Sequence, residues 1–125
     1  MTATNPTHRI LIVDDEDDLR ELLSHVLSAR GYEIQSAANG EEAILALKRE
    51  SFDLALLDIQ MPKINGIQVL RYINENAPST RAIMLTGYAD LKNAMEAREF
   101  GATDFISKPY KLDDILSTIQ RALNE

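Results

Sequence analysis

Five side chains with chemical potential each close, or lie just beyond, a short strand-like run. Asp14 and Asp15 follow Ile10–Val13, Asp58 follows Leu54–Leu57, Thr86 follows Arg81–Leu85, and Lys108 comes just after Asp104–Ile106. Carboxylates drawn together repel one another unless a cation neutralises them. Oxygen-only ligands favour a hard cation, and a few carboxylates with open positions suit Mg2+, which keeps waters and accepts phosphate oxygens. Lys108 adds a compact positive charge and Thr86 a hydroxyl donor, so the set would stabilise a group with several negative oxygens, a phosphoryl group above all. One carboxylate would then act as nucleophile and carry an aspartyl-phosphate. Asp58 is the candidate, because it stands alone after the central run, whereas Asp14 and Asp15 come as a pair suited to a metal.

Taken singly, each position has an ordinary structural reading. "DDEDDL" would cap a helix and place negative charge at its positive end. Asp58 alone would serve as a loop cap, Thr86 as a strand-end hydroxyl and Lys108 as a solvated surface cation. What sets them apart is their common place on the elements that carry them.

Those elements alternate. Strand-like runs occupy Ile10–Val13, Tyr32–Ala37, Leu54–Leu57, Arg81–Leu85 and Asp104–Ile106. Between them lie helical stripes: Leu19, Leu22, Leu23, Val26 and Leu27; then Ala43, Ile44 and Leu47; then Ile67, Leu70 and Ile73; then a weaker Ala94, Met95, Ala97 and Phe100; and last Leu112, Ile115, Leu116, Ile119 and Leu123. Gly31 and Gly101 fall where the first and fourth helices should end, in the position that favours a left-handed backbone. Apolar strands with little alternation imply a parallel sheet covered on both faces. The expected fold is a flavodoxin-like (βα)5 single domain with strand order 2-1-3-4-5. In that order, strands one, three, four and five are neighbours, so the chemical residues converge at one edge of the sheet and the bland end of strand two lies outside them.

Composition narrows the function. The 125 residues suffice for one domain with a real core, read as residues 9–125 behind a polar leader, Met1–His8. A net charge of −7 argues against direct nucleic-acid binding by this domain. The absence of cysteine excludes disulfides, thiol catalysis and zinc–thiolate sites. No apolar stretch has membrane-spanning length and the N-terminus lacks a signal-peptide centre, so a cytoplasmic protein without membrane contact is expected.

With "ILIVDDEDDLR", "FDLALLDIQMPKINGIQVL", "IMLTGYAD" and "GATDFISKPYKLDDI" in view, the chain resembles the receiver domains of bacterial two-component response regulators over roughly Arg9 to Leu123. The resemblance implies a signalling domain, not an enzyme, that assists its own phosphorylation and dephosphorylation. It implies Asp58 as both phosphoacceptor and Mg2+ ligand, Asp15 as direct Mg2+ ligand, Asp14 as a ligand through water, and the Gln60 carbonyl as a further ligand. Thr86 would be the switch hydroxyl and Lys108 the cation that pairs with the phosphoryl group, aimed inward by a cis peptide before Pro109. Phe105 would rotate with Thr86, though the family often has tyrosine there. Gly87 would leave the site open, and Gln60 and Tyr88 would tune phosphate lifetime. Asn65-Gly66 departs slightly from the family's frequent Asp-Gly and reads as a turn and helix start without effect on the chemistry. The implied partners are a histidine kinase or phosphorelay protein upstream and, downstream, an effector or a covalently linked output domain missing from these residues. The face of the fourth helix, fifth strand and fifth helix would change its preference, with Lys92, Glu96, Lys111 and Gln120 as contacts. A phosphorylation-dependent homodimer stays open.

Three other functions fit these residues less well. A Mg2+-dependent aspartyl-nucleophile phosphohydrolase would place its nucleophile after the first strand with a second acid two residues on. A flavodoxin-type carrier would need a hydroxyl- and glycine-rich loop where "DDEDDL" stands. A histidine phosphotransfer module would be an all-helical bundle, against the alternating pattern around His8 and His25.

Overall fold

The computed structural model describes residues 7–59, 61, 63–86, 98–107 and 110–124. Within them, β1 (Arg9–Val13), β2 (Glu33–Ala37), β3 (Leu54–Asp58), β4 (Arg81–Thr86) and β5 (Asp104–Ser107) form one sheet in the order β2-β1-β3-β4-β5. Every pairing is parallel. Among the described residues the helices are α1 (Asp17–Ala29), α2 (Gly40–Arg49), α3 (Gly66–Asn76) and α4 (Leu112–Leu123). The expected strand order is observed, and each run is found within a residue of its expected limits. Ala94, Met95 and Ala97 of the weak fourth stripe lie outside the described residues. Phe100, at its end, is half-buried against the α2–α3 layer.

Successive strand residues point to opposite faces, and this alone builds two cores. Leu11, Val13, Ala55, Leu57, Ala82 and Met84 meet Ala43, Leu47, Ile67, Leu70 and Ile73 of α2 and α3. Ile10, Ile12, Leu54, Leu56, Ile83 and Leu85 meet Leu23 and Leu27 of α1 and Ile115, Leu116 and Ile119 of α4. Because both faces are covered, β1 and β3 show no polar alternation.

Two positions depart from the expected stripes. Leu22 is 51% exposed and Leu112 is 37% exposed, so the core-facing stripes of α1 and α4 are narrower than their apolar content. β2 is an edge strand in which only Ala37 is fully buried, which accounts for its mixed Glu-Ile-Gln-Ser-Ala composition. Gly31 follows the end of α1 with a left-handed φ of 95°, and Gly101 is also left-handed, at φ 89°, although the helix expected before it lies mostly outside the described residues.

Candidate functional site

Parallel register brings the acids together. Val13 pairs with Leu57 and Leu57 with Met84, so the residues after β1 and at the end of β3 emerge side by side. Carboxylate oxygens of Asp14, Asp15 and Asp58 all lie within 4.8 Å of one another. Asp14 is only 2% exposed, Asp58 is half-buried and Asp15 faces solvent.

The β1–α1 turn is fixed by its own polar groups. The Asp14 amide donates to the Ala37 carbonyl at 3.2 Å, extending the β1–β2 ladder by one bond. Asp14 Oδ1 accepts from the Glu16 amide at 2.8 Å. The helix N-cap is Glu16, without a side-chain cap bond, while Asp17 and Asp18 supply the negative charge of the first turn. The paired acids Asp14 and Asp15 therefore do not cap α1, and the capping reading of "DDEDDL" survives only for the dipole. Arg20 reaches back from α1, donating from Nη1 to the Asp14 carbonyl at 2.8 Å and from Nη2 to Asp17 Oδ1 at 2.6 Å.

Asp58 is held by the loop that follows it. The Ile59 amide donates to the Leu85 carbonyl at 3.0 Å, and the Gly66 amide to the Ile59 carbonyl at 3.2 Å. The loop turns through Lys63, which takes a left-handed φ of 64°. Asn65 and Gln68 then form a reciprocal capping box that starts α3. A Cβ at Gly66 would overlap the Asp58 carbonyl oxygen, and one at Gly40 would overlap Ile64. Gly66 is thus more than a turn residue: its lack of a side chain lets the helix start sit directly on the backbone of Asp58.

The field of the acids reaches Tyr110. Burial first, then the charges of Asp58, Asp14 and Glu16, push its phenol well above the usual range. Phe105 is half-buried against the α2–α3 layer, with the Arg98 guanidinium 5.7 Å from its ring centroid. Lys111 and Gln120 are exposed. Gln60, Gly87, Tyr88, Lys92, Glu96, Lys108, Pro109 and the Thr86 side chain lie outside the described residues, although Thr86 itself pairs with Ser107 at the same sheet edge. Arg20 and Tyr110 were not anticipated. Proximity in sequence to "DDEDD" and to Lys108 was their only signal.

Three carboxylates at this spacing, with no soft donor among them, suit a hard divalent cation such as Mg2+. No helix among the described residues is long and apolar enough to cross a membrane.

Comparison with known proteins agrees with this geometry. The response regulator receiver domain family matches residues 10–120. The chain is 41% identical to the regulatory protein AtoC of Escherichia coli over 98% of its own length but only 26% of AtoC. It thus spans about a quarter of that relative. A CheY-like receiver domain protein from Methanospirillum hungatei superposes with a TM-score of 0.91 at 36% identity, covering 94% of each chain. The response regulator TrrA from Thermotoga maritima, solved in complex with Mg2+ and BeF, gives 0.84 at 35% identity over 94% of this chain and 100% of that one.

Proposed function

The chain belongs to the response regulator receiver domain family, whose members serve phosphorylation-dependent signalling, and from that premise we propose that Asp58 is its phosphoacceptor. A carboxylate oxygen of Asp58 attacks the phosphorus of a phosphohistidine on a histidine kinase or phosphorelay protein. The P–N bond breaks, its electron pair returns to the imidazole, and that ring takes up a proton. The supporting observation is the gathering of Asp14, Asp15 and Asp58 within 4.8 Å at the carboxyl edge of the sheet. Asp15, Asp14 and Asp58 itself, with the Gln60 carbonyl, would hold Mg2+, which when bound neutralises negative charge on the transferred group. Asp14, buried and bonded to the Glu16 amide, keeps its carboxylate aimed at the pocket. Lys108 pairs with the phosphoryl oxygens and Thr86 donates its hydroxyl to one of them.

The new charge and acceptor oxygens beside Thr86 draw its hydroxyl inward, and Phe105 follows into the vacated space. The half-buried ring of Phe105, with the exposed Arg98 guanidinium 5.7 Å from its centroid, supports a ring with two stations. The surface around β5 and α4 then changes its affinity for a downstream effector or linked output segment, or for a second copy of the chain. Gln60 and Tyr88 set the phosphate lifetime, and the protein works in the cytoplasm. The TrrA structure with Mg2+ and BeF supports the same pocket here by similarity.

The test is direct. Incubation with acetyl phosphate and Mg2+ should add one PO3 to the intact mass, labile to base and to hydroxylamine. Asp58→Asn should remove the addition, at least a hundredfold below wild type. Undiminished labelling of that variant would place the acceptor elsewhere.

A further inference from the structure

Arg20 has a geometry that the phosphoacceptor reading does not use. Its side chain is only 18% exposed although it belongs to a helix at the surface. One arm of the guanidinium bonds the carbonyl of Asp14, where β1 has just ended, and the other bonds the carboxylate of Asp17, where α1 begins. The two bonds straddle Asp15 and Glu16. The Arg20 amide also donates to the Glu16 carbonyl at 3.0 Å, and Asp14 Oδ1 takes the Glu16 amide, so the turn is fastened from both sides.

We propose that Arg20 is a positioning residue for the divalent-ion pocket, acting through the backbone of the turn that carries Asp14 and Asp15. The inference rests on the reading of that pocket as a Mg2+ site. A planar fork with donors in fixed directions holds two acceptors at once, which a lysine ammonium on a flexible stem does not reproduce. Groups that orient metal ligands without touching the ion usually matter almost as much as the ligands.

Electrostatics alone makes the opposite prediction. A cation beside a cation site repels the incoming ion, so removing its charge should tighten binding. The sign of the effect therefore separates positioning from charge. Calorimetric titration with Mn2+ alone, without phosphodonor, should show one site in the wild type. Arg20→Gln should bind Mn2+ roughly tenfold more weakly. Arg20→Lys, which keeps the charge and loses the fork, should also weaken binding, by a smaller factor. Thermal melts in chelator verify that each variant folds, and if Arg20→Gln does not, Arg20→Lys decides. Unchanged or tighter binding in Arg20→Gln, or wild-type affinity in Arg20→Lys, overturns the proposal. A wild-type protein that binds no Mn2+ overturns the pocket itself, a result distinct from either.

Discussion

At the amino end of the sheet, the Arg9 guanidinium lies 2.7 Å from Glu50 and 3.7 Å from Glu33, and donates to the Ser51 carbonyl at 3.3 Å. The Arg9 amide bonds Asp53 at 2.8 Å, and the guanidinium sits 5.3 Å from the Phe52 ring centroid. At the carboxyl end, three carboxylates of one sign share a volume less than 5 Å across. Both ends gather charge at the mouths of the same strands, but the first pairs opposite signs whereas the second brings three like charges together. Opposite charges that also bond backbone groups tie strand ends to loops. Like charges at that distance oppose the compact state. Where a fold keeps such a cluster, the reason is sought in what the cluster binds.

The largest test of this contrast is a crossing of stabilities. In chelator, Asp58→Asn should be more stable than wild type by on the order of 1 kcal/mol, because one of three mutually repelling charges is gone. In Mg2+ at about a hundred times the dissociation constant, wild type should gain roughly 2.7 kcal/mol. The variant, short of one ligand, should gain much less, so the order reverses. Urea denaturation midpoints with and without Mg2+ read this directly. If Asp58→Asn is the less stable protein in chelator, the carboxyl end is not strained and the contrast fails.

The carboxyl end of the sheet, unlike the amino end, could be read before any coordinates. Buried parallel strands write themselves as unbroken apolar runs such as Ile10–Val13 and Leu54–Leu57, and a sheet of order 2-1-3-4-5 leaves little choice about which strand ends meet. Asp14, Asp15 and Asp58 were therefore legible as a group. Leu22 was not, since an apolar residue beside a stripe reads like one inside it until the packing angle is known. The hold of Arg20 on the Asp14 turn was hidden because the acceptor there is a carbonyl, and backbone groups leave no mark in sequence. Asn65-Gly66 read correctly as a turn and helix start. The contact of Gly66 with Asp58 depended on how tightly the intervening loop closes.

That contact supplies the second test. Gly66→Ala would push a methyl group into the Asp58 carbonyl, and the β3–α3 loop would have to move. Overpacking of this kind costs about 2 kcal/mol. Because the displaced atoms belong to the backbone of the acceptor, labelling by acetyl phosphate should slow as well, even where the variant is fully folded. A variant destabilised but labelled at the wild-type rate would mean that the loop yields without moving Asp58, and the carboxyl end would be less tightly built than the amino end.

The smallest expected effect belongs to another matched pair, Asp104 and Arg121, joined at 2.8 Å between β5 and α4. Burial alone would raise the Asp104 carboxyl. The hydrogen bond from Arg121 and that from the Phe105 amide outweigh it, and the net direction is downward from 3.8. A lowered value means that the unfolded chain binds a proton more readily, so the pair's contribution is present above that ordinary value and fades as pH falls through the folded one. Asp104→Asn should therefore cost about 0.5 kcal/mol at neutral pH, a figure already reduced for solvent exposure. The gap should narrow as the medium is made acid enough to protonate Asp104 in both states, and it should also narrow in high salt. Denaturation midpoints of the two proteins across that range measure it. A gap as large as that expected from Mg2+, or one that widens in acid, would show that matched pairs carry more of this fold than their exposure allows, and the two ends of the sheet would no longer differ in kind.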